Sequence, residues 1–351
     1  MPERRAIKVL IVNTNIFCLT PQGTAGYAGI EYLAAKLAAG LAVRGHTVTL
    51  VSPEGSDVGV ENIEYIYTGL REDEEKSWAR YRGRLEQGEW EVVLDTSWQR
   101  WAMMSSIGRD PQLPIVNWYH SHFSVYQAQP SVQSPMWVGI SKGHAEELTR
   151  SWGVATRYIL NSIDTEFYKN TGQPRGGRYL ALGRWTPEKG FLEMSMLAKR
   201  LKIGLDLYGD QEIIGSTAYM QRAMTEADGI FVRAHGGVSR QQTVDLYSKA
   251  HGLLHLHRWD EPLGLVPIEA MACGCVPICM RRGGPAETIV NGVTGFLVDD
   301  DEEAAELIKR DAVKEISPEA MRKHVEQNFS LKRFVDDWCK LLSEVANGAR
   351  W

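Results

Sequence analysis

Two glutamates, Glu261 and Glu269, are separated by seven residues in the segment Glu-Pro-Leu-Gly-Leu-Val-Pro-Ile-Glu. The apolar run Leu253–His257 predicts a strand, so Glu261 falls in the loop that follows it. Gly264 and Leu265 would begin the next helix and place Glu269 in its first two turns. The pattern therefore puts one carboxylate in a loop and the other near a helix N-terminus.

These groups have the chemistry to recognise a phosphorylated sugar. A helix N-terminus presents backbone N–H groups and the positive end of the helix dipole, which suit a phosphate. An ionised Glu269 could accept hydrogen bonds from two ribose hydroxyls, because a carboxylate has two acceptor oxygens. Glu261 could meet the hydroxyls of a second sugar. The alternative is that both glutamates are solvated and one of them only complements the helix dipole.

Two cations follow another predicted strand, Tyr179–Leu182. Pro187 and Glu188 are typical of a helix start, so Arg184 and Lys189 would converge above the end of that strand. A guanidinium and an ammonium held there would stabilise the negative charge that a diphosphate leaving group develops. No divalent metal would then be needed. The alternative is a surface arginine and a surface lysine in a charged turn.

The loop Pro21–Gly29, after the first predicted strand, is rich in glycine, so its backbone could approach a ligand closely. It contains neither the G-x-G-x-x-G pattern of dinucleotide-binding proteins nor a P-loop. A flexible turn is the alternative.

Cys273, Cys275 and Cys279 have a spacing that fits no usual zinc site, and the last two fall on a predicted buried strand, so we expect no metal.

Strands alternate with helices along the whole chain, which predicts the α/β class with parallel sheets. The predicted strands are Lys8–Asn15, Thr47–Ser52, Glu91–Asp95, Pro114–Trp118, Met136–Ile140, Thr156–Leu160, Tyr179–Leu182, Leu205–Tyr208, Gly229–Arg233, Leu253–His257, Val276–Cys279 and Gly295–Val298. The clearest predicted helices are one from Ile30 through Leu41 that ends at Gly45, Lys142–Trp152 capped by Ser141, Pro318–Asn328 and Leu331–Ala346.

The segment Tyr168–Arg178, rich in Asn, Gly and Pro, separates two such series and predicts a linker. We therefore expect two doubly wound, Rossmann-like domains, residues 1–168 and 177–330, facing across a cleft. Residues 331–351 would form a C-terminal helix that returns to the first domain. Ligands of such sheets bind at the carboxyl ends of the strands, so a two-substrate site in the cleft is expected.

Composition excludes several classes of protein. The 351 residues are 44% hydrophobic and 24% charged, which is ordinary for folded domains. A net charge of −5 rules out a basic surface over the whole molecule. No apolar stretch approaches the roughly 20 residues of a membrane-spanning helix. Five cysteines and no secretory segment predict reduced thiols in a cytoplasmic protein.

A basic run with aromatic residues, Lys76–Leu85, interrupts this balance of charge. Trp78, Tyr81 and Leu85 would share one helical face, which predicts a core stripe beneath a solvated basic face. The functional alternative is contact with an anionic acceptor, either a membrane surface or a nucleic acid.

The sequence resembles the retaining glycosyltransferases of family 4, which have the GT-B fold and an E-x7-E motif. The resemblance rests first on Glu261 to Glu269, followed by Ala-Met-Ala-Cys-Gly. It extends over nearly the whole chain, through Gly29-Ile-Glu31, Arg44-Gly45-His46, Ser141 through Asn161-Ser-Ile-Asp164, Gly183-Arg184 with Lys189-Gly190, Gly209-Asp210, Gly236, Gly283-Gly284, Glu287 and Gly292-Val-Thr-Gly295-Phe.

The resemblance implies a transferase whose nucleotide-diphosphate sugar lies mainly on the second domain and whose acceptor lies mainly on the first. The position of Glu269 would bind the ribose, and that of Glu261 the donor sugar. Arg184 and Lys189 would bind the diphosphate, and the backbone of Gly264 would meet phosphate or sugar.

Further positions follow from the same resemblance. Leu265 would contribute its backbone beside Gly264, and Gly183 and Gly29 would lie against the donor. A histidine after a first-domain strand would point at the donor sugar; His120, in Trp118-Tyr-His120-Ser-His122, is the candidate. Ordinary hydrogen bonding at a strand end is the alternative for that histidine.

Transfer of a hexose with retention of the anomeric configuration is the leading hypothesis. The departing phosphate oxygen would take the proton of the acceptor, and Glu261 would position the sugar. A UDP-sugar is the expected donor, no other cofactor is expected, and the acceptor is open among glycans, lipid-linked molecules, small molecules and nucleic acids. The alternatives are a nucleotide-sugar epimerase of the same architecture and a non-catalytic protein that binds a nucleotide sugar.

Overall fold

The computed structural model describes residues 5–21, 23–24, 29–106, 114–121, 136–210 and 215–351. The chain forms two compact units. Unit 1 comprises residues 1–161 together with 331–351, and unit 2 comprises residues 162–330. The boundary therefore lies between Asn161 and Ser162, seven residues before the predicted end of the first domain at Tyr168.

Unit 1 is built on a parallel sheet whose strand order is β5-β4-β1-β6-β7-β8-β9 over the described residues. The order runs outward in both directions from β1, so β1 and β6 flank the point where the direction of winding reverses. The strands are β1 Lys8–Val12, β4 Thr47–Pro53, β5 Ile63–Thr68, β6 Val92–Asp95, β7 Ile115–Trp118, β8 Met136–Gly139 and β9 Thr156–Tyr158, with a short antiparallel pair β2 Leu19–Thr20 and β3 Gly23–Thr24. The helices are α1 Gly29–Val43, α2 Glu74–Glu86, α3 Trp101–Ser106, α4 Lys142–Trp152 and, after unit 2, α12 Leu331–Ala346.

Helices cover the sheet of unit 1 because their apolar positions recur at helical spacing. In α12, Phe334, Trp338 and Leu342 are fully buried. The rings of Phe334 and Trp338 pack on Trp118 of β7, with centroid distances of 5.6 and 5.0 Å. The C-terminal helix is thus part of the core of unit 1.

Unit 2 repeats the same winding with the strand order β12-β11-β10-β13-β14-β15, again parallel throughout the described residues. The strands are β10 Arg178–Arg184, β11 Gly204–Asp210, β12 Val232–His235, β13 Leu253–His255, β14 Pro277–Met280 and β15 Phe296–Val298. The helices are α5 Phe191–Leu201, α6 Thr217–Glu226, α7 Arg240–Lys249, α8 Leu265–Ala272, α9 Pro285–Thr288, α10 Asp301–Lys309 and α11 Pro318–Asn328, with 3₁₀ turns at Pro187–Lys189 and Ala312–Glu315. In this sheet the winding reverses between β10 and β13.

The predicted linker is part of unit 2. Tyr168 is fully buried, and its carbonyl accepts a hydrogen bond of 2.6 Å from Arg322 of α11. Gly176 donates its backbone N–H to the carbonyl of Lys249. Composition alone suggested a free connection, but these contacts tie the segment to the helices that follow it.

Candidate active site

The candidate site in unit 2 lies at the point in its sheet where the strand order reverses, between β10 and β13. Strands β10 and β13 are neighbours, and each is followed by a loop at its carboxyl end. Arg184 is the last residue of β10, Lys189 ends the 3₁₀ turn that follows it, and Glu261 lies in the loop after β13. In open α/β sheets this crevice is where ligands bind, so the topology brings together two motifs that are far apart in the sequence.

Lys189 and Glu261 form a partly buried ion pair at this point. The Lys189 ammonium lies 2.6 Å from Glu261 Oε2, and their side chains are only 10% and 13% exposed. The indole of Trp259 donates a second hydrogen bond to the same oxygen, at 2.8 Å. The ammonium also lies 5.3 Å from the centre of the Trp259 ring, a cation–π distance. One carboxylate oxygen is therefore held by two donors.

The surroundings keep Glu261 ionised. Burial alone would raise its pKa, but the charge of Lys189, with the nearby histidines His255 and His257, outweighs burial and lowers the pKa to about 2. His255 Nε2 lies 3.9 Å from the same oxygen, and burial lowers the pKa of His255 well below its usual value, so this ring is neutral at pH 7. The site holds a carboxylate and an ammonium that balance each other.

Glycines allow the loop of Glu261 to approach its neighbours. A Cβ on Gly283, whose φ is +60°, would lie closer than 3.0 Å to the backbone of Glu261. A Cβ on Gly284 would be equally close to the backbone of Leu263. Gly284 N–H donates to the carbonyl of Glu261 at 2.6 Å. Only glycines fit here, so the Gly283-Gly284 pair fixes the position of the Glu261 loop.

Helix α8 begins beside that loop. Gly264 adopts φ +84° before the first residue, Leu265, and no side chain caps this N-terminus among the described residues. A Cβ on Gly264 would meet the Glu261 side chain at 3.4 Å, which shows how close the carboxylate lies to the helix start. The first-turn N–H groups and the Lys189–Glu261 pair thus converge on one place.

Glu269 occupies the middle of α8 and is only 1% exposed. Its Oε1 accepts a hydrogen bond from the Tyr168 hydroxyl at 2.8 Å, and its Oε2 accepts one from the Tyr247 hydroxyl at 2.9 Å. Arg240 also donates to the Tyr168 hydroxyl, at 3.1 Å. Each oxygen therefore already accepts one hydrogen bond, and a ribose hydroxyl would use a remaining lone pair of this buried carboxylate or replace one of the phenols.

Arg184 lies at the same turn as Lys189 but in a more open position. Its side chain is 38% exposed and lies 3.8 Å from Glu188. Gly183, at the end of β10, faces the aliphatic part of Lys189, which a Cβ on Gly183 would meet at 3.5 Å. The structure therefore joins Lys189 to Glu261, while Arg184 stays exposed next to Glu188.

His120 belongs to a second crevice, in unit 1, beyond the carboxyl ends of β6 and β7. A cavity of about 80 Å³ is lined there by Ile30, Thr96, Ser97, Trp98, Arg100, Tyr119, His120 and Ser121. The His120 ring packs on Trp118 with a centroid distance of 4.3 Å. Burial, with the nearby Arg100, lowers the pKa of His120 well below its usual value. The histidine is therefore neutral at pH 7.

Buried charges hold the loop that lines this crevice. Asp95 is fully buried and accepts hydrogen bonds from the backbone N–H and hydroxyl of Ser97. Glu74 of α2 accepts from the backbone N–H groups of Trp98 and Gln99, at 2.9 and 2.5 Å. Arg100, at φ +56°, donates to the carbonyls of Asp95 and Trp118.

Two other predicted features are the glycine-rich loop that ends at Gly29 and the basic run that forms α2. Gly29 is the first residue of α1, while most of the loop before it, and His122, lie outside the described residues. On α2, Trp78, Tyr81 and Leu85 are buried, as the core-stripe alternative predicted. The arginines of that helix are paired with acids: Arg80 with Glu72, Arg82 with Glu86, and Arg84 with Glu64 and Glu89. This pairing removes most of the positive charge that an anionic surface would need.

Sequence reasoning missed the residues that hold the acids in place. Trp259 stands two residues before Glu261, and its indole N–H was a signal available in the sequence. Tyr168 lay in the predicted linker, so nothing in the local pattern pointed to its contact with Glu269.

The described part of the chain lacks two other kinds of feature, a metal-binding cluster and a membrane-spanning helix. No group of three or more His, Cys, Asp or Glu residues there is arranged to hold a metal ion. None of the helices there combines the length and apolar character needed to cross a bilayer.

Comparison with solved structures identifies the fold as GT-B. AviGT4, a glycosyltransferase involved in avilamycin A biosynthesis, superposes with a TM-score of 0.72 at 21% identity, covering 98% of this chain and 99% of that one. HepE of Anabaena, solved in complex with UDP-glucose, gives 0.70 at 15% identity, covering 96% and 100%. Two parallel-sheet α/β domains of this kind define the class.

Sequence comparison supports a glycosyltransferase. Residues 164–328, almost all of unit 2, match the family described as glycosyl transferases group 1. A probable sucrose-phosphate synthase of Thermosipho melanesiensis is 30% identical over 203 residues, which cover 55% of this chain and 46% of that protein. The chain spans less than half the length of the first curated relatives it matches.

Proposed function

We propose that the protein is a retaining glycosyltransferase that moves a hexose from a nucleotide-diphosphate sugar, with UDP-sugars the leading donors, to a hydroxyl acceptor. The observation that carries the proposal is the Lys189–Glu261 pair, 2.6 Å apart beside the uncapped start of α8. Its position at the reversal point of the unit 2 sheet supports it, as does the family match over this unit. The UDP-glucose bound to HepE is the basis for favouring a UDP-sugar.

The diphosphate would bind at Lys189 and at the N-terminus of α8. An ammonium has three N–H donors, of which Glu261 takes one, so Lys189 can hold a phosphate oxygen without leaving Glu261. Arg184, at the same turn, would supply a second positive charge. These cations would stabilise the leaving group in place of a divalent metal, so we expect transfer to persist in EDTA.

Glu261 would orient the donor sugar as an ionised hydrogen-bond acceptor. In the reaction the bond from the anomeric carbon to the diphosphate oxygen breaks, and its electron pair stays with the phosphate. The acceptor oxygen forms a new bond on the same face of the sugar, and its proton passes to the departing phosphate oxygen. Glu261 takes part in neither bond, which agrees with the hydrogen bonds from Lys189 and Trp259 to its Oε2.

The remaining assignments concern the ribose, single backbone contacts to the donor and the cellular compartment. Glu269 would bind the ribose by accepting a sugar hydroxyl beside the hydrogen bonds from Tyr168 and Tyr247 or in place of one of them. The backbone of Leu265 would meet a phosphate oxygen, and Gly29 would lie against the donor. The five cysteines are free thiols, which supports a reducing, cytoplasmic compartment.

A thermal-shift panel of nucleotide sugars tests the proposal first. A ligand that binds only the folded state raises the melting temperature, so UDP-sugars should give the largest shifts. The best donor is then incubated with and without candidate acceptors, and the products are analysed by NMR. Transfer with the same anomeric configuration supports the proposal. Conversion of the sugar without an acceptor would identify an epimerase, tight binding without turnover a sensor, and no shift with any nucleotide sugar would overturn it.

A further inference from the structure

We propose that Asn161 fixes the tautomer of His120, so that the neutral ring carries its hydrogen on Nε2 and presents an N–H donor to the unit 1 crevice. This makes Asn161 a positioning residue and defines what the crevice takes: an oxygen that accepts a hydrogen bond. The inference rests on the proposed function and deepens it, because the family resemblance gives His120 the donor sugar as its partner, but the tautomer can be measured without any substrate.

The contact that carries the inference joins the two side chains within unit 1. Asn161 Nδ2 lies 3.4 Å from His120 Nδ1. Asn161 is only 2% exposed. Its backbone N–H donates to the carbonyl of Ile140 at 3.2 Å, so the backbone of Asn161 is anchored at the end of the sheet. In this orientation the amide presents Nδ2, which donates and cannot accept, so Nδ1 supplies the lone pair. Asn161 Oδ1 is buried and has no hydrogen-bond partner among the described residues.

The other ring nitrogen of His120, Nε2, is buried and has no hydrogen-bond partner among the residues that the structure describes. The ring lines the cavity of about 80 Å³ together with polar groups of Thr96 and Ser97. A buried polar atom without a protein partner is rare in folded proteins, and a ligand that enters the cavity would supply the missing hydrogen bond of Nε2.

The charge state of the ring agrees with this arrangement. Burial disfavours a positive charge on His120, and so does Arg100, which is 4% exposed and also lines the cavity. A neutral imidazole has one N–H and one lone pair, so engagement of Nδ1 as an acceptor places the hydrogen on Nε2. His120 then donates to a sugar oxygen and cannot remove a proton from an acceptor hydroxyl at that atom.

His144 provides an internal standard for the measurement. Its Nδ1 accepts a hydrogen bond from the backbone N–H of Ile140, at 3.2 Å. Its Nε2 lies 2.9 Å from the carbonyl of Ser121, which can only accept. His144 must therefore carry its hydrogen on Nε2, and His120 should show the same pattern.

The experiment is a long-range ¹H–¹⁵N spectrum of the full chain labelled with ¹⁵N-histidine, recorded near pH 7 without ligand. His120→Gln identifies the His120 signals. We expect Nδ1 of His120 to resonate as an unprotonated nitrogen and Nε2 as a protonated one, matching His144. The reverse pattern in the wild-type protein would overturn the inference, whatever the variants do.

Two variants test the part played by Asn161. In Asn161→Asp a carboxylate faces Nδ1, so the hydrogen should move to Nδ1 and the pKa of His120 should rise. In Asn161→Ala the preference should weaken, with both ring nitrogens showing intermediate shifts. Unchanged His144 signals would confirm that unit 1 remains folded, and an unchanged His120 pattern in a folded Asn161→Asp protein would contradict the assignment. If the tautomer is as expected but no nucleotide sugar binds, the proposed function fails and this inference stands.

Discussion

At Glu261, two donors compensate for the burial of a charge. A buried carboxylate is costly unless it is paired and hydrogen-bonded, and Lys189 and Trp259 supply the pair and the bond at one oxygen. The pair carries no net charge before a ligand arrives. A diphosphate would add negative charge beside Lys189, so the ammonium would then hydrogen-bond to both the diphosphate and the Glu261 carboxylate.

Removal of Lys189 should therefore weaken both the fold and the reaction, because it leaves the buried Glu261 carboxylate without its cation and the leaving group without a positive charge. We expect Lys189→Ala to lower kcat/KM by about 10²–10³-fold, mainly through kcat, because the charge that stabilises the leaving group is lost. The measurement is initial-rate kinetics with the donor selected by thermal shift.

Lys199→Ala is the matched control for that variant. Lys199 forms a similar pair with Glu226, at 2.8 Å, but both side chains are 31% and 44% exposed. Surface pairs of this kind contribute little, so turnover should stay near that of the wild-type protein. Equal loss of activity in both variants would remove Lys189 from the candidate site.

The lowered pKa of Glu261 predicts how stability depends on pH. Its value of about 2 in the folded protein lies below the ordinary 4.5, so ionised Glu261 stabilises the fold above about pH 4.5. This contribution is lost as the pH falls from about 4.5 towards 2. The difference in unfolding free energy between the wild-type protein and Glu261→Gln should therefore shrink over that range, as measured by urea denaturation at several pH values. A difference that stays constant with pH would contradict the assigned pKa.

At the scale of elements, the loop between β13 and α8 is held in place by the turn between β14 and α9. Gly283 and Gly284 belong to that turn and contact the backbone of Glu261 and Leu263. The contact leaves no room for a side chain. The position of the acid is thus set by a second loop, not by its own sequence.

Gly284→Ala should displace the Glu261 loop. The added methyl group would overlap the backbone of Leu263, and overpacking of this kind typically costs about 1–3 kcal/mol. We expect lower stability in urea and a higher KM for the donor. Gly236→Ala is the control, since a Cβ there meets nothing within 4 Å. A Gly284→Ala protein with wild-type stability and KM would show that the loop can shift without consequence.

Local sequence signals were sufficient for some elements and not for others. The helices α4 and α11 begin at the predicted residues because Ser141 and Ser317 cap their N-termini by accepting a hydrogen bond from the backbone, and α4 ends as predicted because Gly153 adopts φ +68°. Strand β5 was missed because it lies at the edge of its sheet and is only partly buried, so it lacks the continuous apolar run of a central strand.

The same holds for the candidate site: its local patterns could be recognised in the sequence, but the contacts between distant residues could not. The spacing of Glu261 and the turn of Lys189 could be recognised locally, but their pairing could not, because the residues are 72 positions apart and meet only through the adjacency of β10 and β13. The burial of Glu269 by Tyr168 likewise depends on where a segment of no regular structure packs. Contacts of this kind are decided by the tertiary fold.

At the scale of the whole molecule, the chain leaves unit 1 after Asn161 and returns to it at Leu331. Each unit has its own sheet and its own buried core. Unit 1 is completed only by α12, which contributes Phe334 and Trp338 to the packing around Trp118. Stability of unit 1 therefore depends on a helix that follows unit 2 in the sequence.

Trp338→Ala should weaken unit 1 selectively. Truncation of a fully buried tryptophan typically costs about 3–5 kcal/mol, and the cavity would open beside Trp118, whose ring supports His120. We expect hydrogen exchange to accelerate at amides of β1, β6 and β7, while amides of β10 and β13 keep their protection, because the units open as separate cooperative parts. Lys340→Ala, an exposed change in the same helix, should leave both sets unchanged. Equal acceleration in the two sheets would mean that the units unfold together, and the core around Trp338 would then stabilise the whole molecule and not unit 1 alone.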